Sequence, residues 1–367
     1  MSFSVYNTDC KMHNIYSRIS ELAGEKSSLV LATVISTKGS TPGKPGSSVL
    51  FGESGLLAGT IGGGFVENEV SKLATGPGFS AEPVIVEYEL DKSVENHNEA
   101  ICGGFVSVLI EKGVEKYNLL CREIELNISK RIPCVVATIV DRNADRMEVS
   151  RLVCTLNNLK CISDKAGEAL TENVEKILGD PDSAGFRRIE DISTGRIIIL
   201  EPILPDPRLI IAGAGHIGKA LCHIASLLDF EVTVIDEREE YACPENLPEA
   251  RHIIVKDIGT AVGEIKADED TYIVIVTRGH YQDANALRSC IGGTARYIGM
   301  IGSKTKVNEM KADFLANGWA TQAQWEKIHS PIGLEIGSVT VQEIAVSIAA
   351  ELVKERSKKN PGRKTHK

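Results

Sequence analysis

The chain has 367 residues, more than the roughly 250 to 300 at which single hydrophobic cores stop growing, so two domains are expected. Hydrophobic residues make up 43% and charged residues 25%, the balance of an ordinary soluble globular protein. A net charge of -9 and a pI near 5.5 exclude a general basic field for nucleic acid or anionic lipid.

No stretch reaches the roughly 18 apolar residues of a membrane span, and Met1 to Lys26 has no basic segment followed by an apolar run. No membrane partner and a cytoplasmic location are expected. The nine cysteines (Cys10, Cys102, Cys121, Cys134, Cys154, Cys161, Cys222, Cys243 and Cys290) are odd in number and contain no C-x-x-C pair. That argues against a disulfide framework or a structural zinc site, and most are expected to be buried thiols.

In chain order, apolar spacing predicts a helix over Ile15–Glu25, then a buried strand over Leu29–Ile35 that ends in a turn cluster. Further strands are predicted over Ser48–Phe51, Val84–Leu90, Phe105–Glu111 and Cys134–Val140, helices over Phe65–Ala74 and Glu115–Lys130, and strands over Met147–Leu156 and Arg196–Leu200. This half, 1–200, reads as an α+β domain. Glu201–Pro207 concentrates three prolines, too many for a helix or a central strand, and is taken as the linker.

Beyond it strands and helices alternate: strands over Leu209–Ala212, Val232–Ile235, His252–Lys256, Tyr272–Thr277 and Tyr297–Ile301, helices over Ile217–Leu228, Ala284–Ile291 and Lys304–Asn317. The pattern is that of an α/β, Rossmann-like, doubly wound parallel sheet over 207–340. A last helix, Thr340–Arg356, opens with Thr340 and Glu343 as a capping box and leads into a basic tail ending at Lys367.

Four segments carry candidate chemistry. Gly213-Ala-Gly215-His216-Ile-Gly218 lies between a strand and a helix, with Asp236 ending the next strand. There glycines allow a tight turn and close backbone approach, the helix N-terminus favours a phosphate, and Asp236 is placed to accept ribose hydroxyls. In such a sheet His216, the Arg278-Gly-His280-Tyr-Gln-Asp283 loop, Ser303 and Lys304 all follow strands at one mouth, which suits a reaction, a metal or an anion.

In the first half, Thr37–Gly46 and Gly59-Thr-Ile-Gly62-Gly63-Gly64 offer amides for an anion, with Lys38 and Lys44 adding charge and Glu67 placed to cap a helix or touch a ligand. Neither is a Walker A loop. Cys102 differs from the other cysteines because Gly103 and Gly104 leave its sulfur accessible and offer amides to a thiolate. Each of these features alone also fits a purely structural turn.

Taken in order, Gly39-Ser40-Thr41-Pro42, Gly59 to Gly64 with Glu67, Cys102-Gly103-Gly104, Gly213 to Gly218, His280 to Asp283, Tyr297 to Ser303, and Pro331 to Gly337 with the final helix resemble the XdhC/CoxI family of accessory factors for molybdenum hydroxylases. They span almost the whole chain. The resemblance implies a cofactor-binding chaperone more than an enzyme. Such a protein binds the molybdenum cofactor (molybdopterin), works with a cysteine desulfurase to exchange an oxo ligand for sulfur, and serves an apo molybdenum hydroxylase as a homodimer. Cys102 is then the cofactor contact or molybdenum ligand, with Ser40, Thr41, Gly62, Gly63, Gly64, Glu67, Gly103, Gly104, Gly213, Gly215, His216, Gly218, Asp236, His280, Asp283 and Ser303 around the cofactor. Gly43 and Lys44 depart from the arginine and acidic residue often found after the Ser-Thr-Pro. Two alternatives stand: an NAD(P)-dependent oxidoreductase with His280 as acid/base, and a nucleotide-sensing regulatory module.

Overall fold

The computed structural model describes residues 12–24, 28–76, 82–90, 104–143, 146–159, 168–180, 185–191 and 194–358. The chain divides into two compact units, Met1–Pro205 and Asp206–Lys367.

Unit 1 is built on two antiparallel sheets. Helix α1 (Met12–Leu22) precedes β1 (Val30–Gly39), β2 (Ser48–Gly52), β3 (Gly55–Gly59), α2 (Gly64–Thr75), β4 (Val84–Leu90) and β5 (Gly104–Lys112). These strands form one sheet in the order β3-β2-β1-β5-β4. Alternation along β1 splits its side chains between two cores: Val30, Ala32 and Val34 meet Val66 and Val70 of α2, while Leu31, with Leu29 just before the strand, meets Ile15 and Ile19 of α1.

A 3-10 turn (Val114–Tyr117), α3 (Asn118–Ser129), β6 (Cys134–Asn143), β7 (Arg146–Cys154), α4 (Glu168–Gly179), β8 (Arg187–Asp191) and β9 (Arg196–Ile203) complete the unit. The second sheet runs β7-β6-β9-β8. The single helix predicted over Glu115–Lys130 is therefore two pieces, a 3-10 turn that starts after the left-handed Gly113 (φ 76°) and then α3. Three elements fall outside the predicted set. β3 is short and glycine-bounded, β8 (RRIED) carries a single apolar residue, and α4 buries a helical stripe of Leu170, Val174, Ile177 and Leu178.

The proline-rich segment also begins inside a strand. Pro202 pairs with Val135 of β6, but β8 pairs with β9 only as far as Leu200, so on that side the missing proline N–H breaks no ladder.

Unit 2 comprises β10 (Arg208–Ala212), α5 (His216–Leu227), β11 (Glu231–Asp236), β12 (His252–Val255), α6 (Ile258–Glu264), β13 (Thr271–Ile275), α7 (His280–Cys290), β14 (Tyr297–Met300), α8 (Lys304–Ala316), α9 (Gln322–Trp325), β15 (Ile328–His329) and α10 (Val341–Lys358). Its sheet is parallel throughout, ordered β12-β11-β10-β13-β14-β15, with the reversal between β10 and β13 that marks a Rossmann domain. The central strands β10, β11, β13 and β14 are buried on both faces. Leu209, Ile211 and Val234 pack with Leu221 and Ala225 of α5 and Ile348 and Leu352 of α10. Ile210, Ile273 and Ile275 pack with Ala261 of α6, Leu287 of α7 and Met310 and Phe314 of α8. Short α6, α9 and β15 also fall outside the predicted set, each being too brief to carry a periodic signal.

Among the described residues no helix is long and apolar enough to cross a membrane. Cys121, Cys134, Cys154, Cys222 and Cys290 are buried free thiols, and Cys243 is half-buried.

Candidate functional site

In unit 1 the glycine loops come together. The end of β1 pairs with the start of β5, Gly39 opposite Gly104, and Leu90 of β4 flanks Gly104 on its other side. A Cβ on Gly104 would stand 2.6 Å from the Lys38 carbonyl oxygen and 2.8 Å from that of Ser40, so only glycine fits there. The turn that follows meets the second loop backbone to backbone: a Cβ on Gly43 would lie 2.1 Å from the Ile61 oxygen, and one on Gly62 2.4 Å from the Gly43 nitrogen. Thr41 Oγ1 donates to the Gly43 carbonyl at 2.8 Å and holds the turn. Ser40, Thr41, Gly62, Gly63, Gly64, Glu67 and Gly104 thus belong to one loop cluster. Cys102 and Gly103 immediately precede β5 and lie outside the described residues.

Glu67 organises this cluster. Its Oε2 accepts from Thr60 Oγ1 at 2.6 Å, from the Ile61 N–H at 3.0 Å and from the Gly63 N–H at 3.2 Å. Those donors would otherwise face an anion, so the carboxylate fills part of the amide nest. What remains open is the start of α2, where Gly63 and Gly64 have no atom within 4 Å of a built Cβ and Gly63, as the cap residue, offers no side chain to the first-turn amides. Phe65, 46% exposed, meets Tyr88 edge to face with centroids 6.3 Å apart; neither carries a signal in the sequence.

In unit 2 each glycine of the Gly213–Gly218 turn has a separate physical role. Gly213 has φ 119° and packs against β13, its Cβ position lying 2.6 Å from the Val276 oxygen. Gly218 lets the helix sit on the turn, since a Cβ there would fall 1.9 Å from the Gly213 oxygen. Gly215, the cap of α5, has nothing within 4 Å and no side-chain cap bond. The open approach over Gly215 is the feature a phosphate-bearing ligand requires.

Asp236 ends β11 as expected, but its carboxylate is already engaged. Oδ2 accepts from the Ala214 N–H (2.8 Å) and Arg238 Nη2 (2.8 Å), and Oδ1 from the Arg238 N–H (3.0 Å) and Nε (2.9 Å). Burial opposes its ionisation, yet Arg238 and the Ala214 amide outweigh it and hold the carboxyl below its ordinary value. A ribose hydroxyl reaching Asp236 would have to displace one of these donors. Arg238 lies on the Tyr241 ring at 4.1 Å.

The residues gathered at the mouth divide in two. His216 and His280 are exposed first residues of α5 and α7, and Ser303 caps α8 by accepting from the Lys306 N–H. Asp283 instead turns inward, fully buried, accepting from the Thr277 N–H (3.2 Å), Thr277 Oγ1 (2.5 Å) and Lys306 Nζ (2.6 Å). Burial pushes its carboxyl up despite these partners. The ammonium paired at the mouth is that of Lys306; Lys304 is exposed. Arg238, Thr277 and Lys306 have no motif of their own, and only the approach of separate loops brings them in.

The Pro331–Gly337 segment is held by α10. Glu351 accepts from Tyr297 OH (2.7 Å), the Gly333 N–H (2.7 Å) and His329 Nδ1 (3.0 Å). Although burial opposes it, these partners draw the Glu351 carboxyl down to about 2. Among the described residues no group of three or more metal-ligating side chains occurs.

A Rossmann unit with an open glycine-rich turn, following a unit of two antiparallel sheets whose glycine loops converge, defines a two-unit α/β protein. The chain belongs to the XdhC and CoxI family: the XdhC and CoxI family model matches residues 22–89 and the XdhC Rossmann domain model residues 209–352. It is 24% identical over 349 residues to a probable xanthine dehydrogenase subunit from Bacillus subtilis (strain 168), covering 95% of this chain and 99% of that protein. A 148-residue stretch is 32% identical to the uncharacterized protein YqeB of Escherichia coli (strain K12), covering 40% of this chain and 27% of YqeB. The crystal structure of a xanthine dehydrogenase from Bacillus halodurans shares the fold, with a TM-score of 0.71 at 22% identity over 95% of this chain and 97% of that one.

Proposed function

We propose that the protein is an accessory factor for a molybdenum hydroxylase of the xanthine dehydrogenase class. It holds the molybdenum cofactor, works with a cysteine desulfurase while the cofactor is sulfurated, delivers it to the apo-enzyme, and acts as a homodimer. The observation that carries this is the convergence of the Ser40–Gly43 turn, the Thr60–Gly64 loop and Gly104, which stands two residues after Cys102 in the chain. The names of the full-length relatives point to the same class of hydroxylase.

The residues present suit an anionic, phosphate-bearing pterin. The open backbone at Gly63 and Gly64 and the first-turn amides of α2 would receive its charge, and Cys102 would supply a soft ligand. When bound, the group contributes a metal centre at which an oxo ligand is exchanged for sulfur. The chain binds and orients it and supplies the thiol. Five thiols are poor candidates for that role, because burial pushes Cys121, Cys134, Cys154, Cys222 and Cys290 up to about 12.

The test is reconstitution. Protein incubated with the cofactor should retain it through gel filtration, and Cys102→Ala should lower maturation of the partner hydroxylase at least tenfold. Failure to retain the cofactor, together with unchanged maturation by Cys102→Ala, removes the proposal. Open space over Gly215 also favours a nucleotide in the Rossmann crevice. An NAD(P)-dependent oxidoreductase would show saturable NADH binding, and its absence dismisses that alternative.

A further inference from the structure

The turn Arg278-Gly279-His280-Tyr281 opens α7 just past the carboxyl end of β13, beside the reversal of strand order where ligands of open α/β sheets bind. It is fixed from several sides. Asp283 ties the first turn of α7 to Thr277 and to Lys306 of α8, at 2.5 Å and 2.6 Å. Gln282 Nε2 donates to Glu237 Oε1 at 2.6 Å and ties the same turn to the loop after β11. Beneath it, Val276 and Thr277 lie against the Gly213 backbone, within 3.1 Å of a built Cβ.

On this anchored turn Arg278, His280 and Tyr281 point to solvent, and Tyr281 is 78% exposed. None of the three side chains makes a hydrogen bond, ion pair or ring contact with another described residue. A single exposed aromatic means little on its own. Here the residues on either side of the free group, Thr277, Gln282 and Asp283, are all spent on holding the backbone, and a cation, an imidazole and a whole aromatic face are left unspent beside the open Gly215 approach. Recognition groups carried on a fixed turn are what a binding site requires.

We propose that Tyr281 is a stacking platform and Arg278 an anion partner for a planar, anionic heterocycle bound over the Gly213–Gly218 turn. That chemistry is shared by phosphorylated pterins and purine nucleotides. The proposal deepens the reading above for the Rossmann crevice alone and rests on it.

Binding of AMP and of pterin-6-carboxylate to the full-length protein would be measured by fluorescence and calorimetry, with inorganic phosphate as the probe that cannot stack. Wild type should bind one or both planar probes, and the preferred probe distinguishes a nucleotide from a pterin. Tyr281→Ala should weaken that binding by roughly 5- to 100-fold and Tyr281→Phe should leave it intact, because stacking needs only the ring. Arg278→Ala should weaken planar probes and phosphate alike. Thermal unfolding should not change in any variant, because these side chains touch no described neighbour. Wild type binding neither planar probe, or Tyr281→Ala binding as tightly as wild type, overturns the proposal. If Tyr281→Ala loses the probe while the partner hydroxylase still matures normally, the platform stands and it is the accessory role of this crevice that falls.

Discussion

Gly215 and Gly218 are three residues apart and face opposite demands. A methyl at Gly218 would sit 1.9 Å from the Gly213 oxygen, so Gly218→Ala must force α5 off its turn, at a cost of about 1–3 kcal/mol by analogy with overpacked cores. Gly215 has a φ of -68° and open space, so Gly215→Ala should leave the denaturation midpoint unchanged while weakening any crevice ligand. Urea unfolding of the two variants separates these outcomes, and equal destabilisation would refute the assignment. Glu201 makes a second residue-scale prediction. It is buried and accepts from Tyr16 OH at 2.9 Å; burial, only partly offset by Tyr16 and Arg151, raises its carboxyl from 4.5 to about 7. Between those values the unfolded chain releases a proton that the folded chain keeps. Stability should therefore fall as pH rises through that window, by about 3 kcal/mol at roughly 1.4 kcal/mol per unit, and level off above it. Glu201→Gln should flatten the slope in urea titrations at pH 5 and pH 8. Neither effect can be read from the sequence, because each depends on what lies across the fold.

Helix α10 shows how an element acquires its place. Its start follows from local chemistry: Thr340 Oγ1 accepts from the Glu343 N–H at 3.3 Å, and Glu343 accepts from the Thr340 N–H at 2.8 Å, the capping box expected from the sequence. Its docking depends on Ser347 and Glu351, one turn apart. Ser347 Oγ donates to the Leu334 carbonyl at 2.6 Å, and Glu351 gathers Tyr297, His329 and the Gly333 amide. Because the Glu351 carboxyl is held at about 2, its contribution is complete above the ordinary value of 4.5 and is lost as pH falls towards 2. Glu351→Ala should strand three donors and lower stability by about 3 kcal/mol or more near neutrality, with a smaller deficit near pH 2. Circular dichroism melts across that range would check this, and a deficit independent of pH would contradict it. The elements that the sequence conceals are short or charged, as with β8, β15 and α9. Most elements with several turns or alternating apolar runs are legible, their ends shifted by a few residues; α4 is the exception, three turns with a full apolar stripe that lie outside the predicted set.

At the scale of the molecule, each unit has its own cores among the described residues: two clusters about the parallel sheet of Asp206–Lys367, and four in Met1–Pro205. Expressed separately, 206–367 should fold cooperatively, with a thermal transition matching one of two in the full chain; a molten fragment would show that the unit depends on the remainder. Length, the proline-rich linker, apolar periodicity and the placing of glycines were enough to state two domains and a parallel Rossmann sheet, because these follow from local spacing; the family was named from the resemblance of the ordered motifs. The use made of each polar side chain was decided by packing. Whether Asp236 faces a ribose or Arg238, whether Asp283 stands at the mouth or beneath it, and whether Glu67 meets a ligand or fills its own nest depend on which loops the fold brings within 3 Å. Hydrogen bonding acts over that distance alone, and sequence separation carries no measure of it.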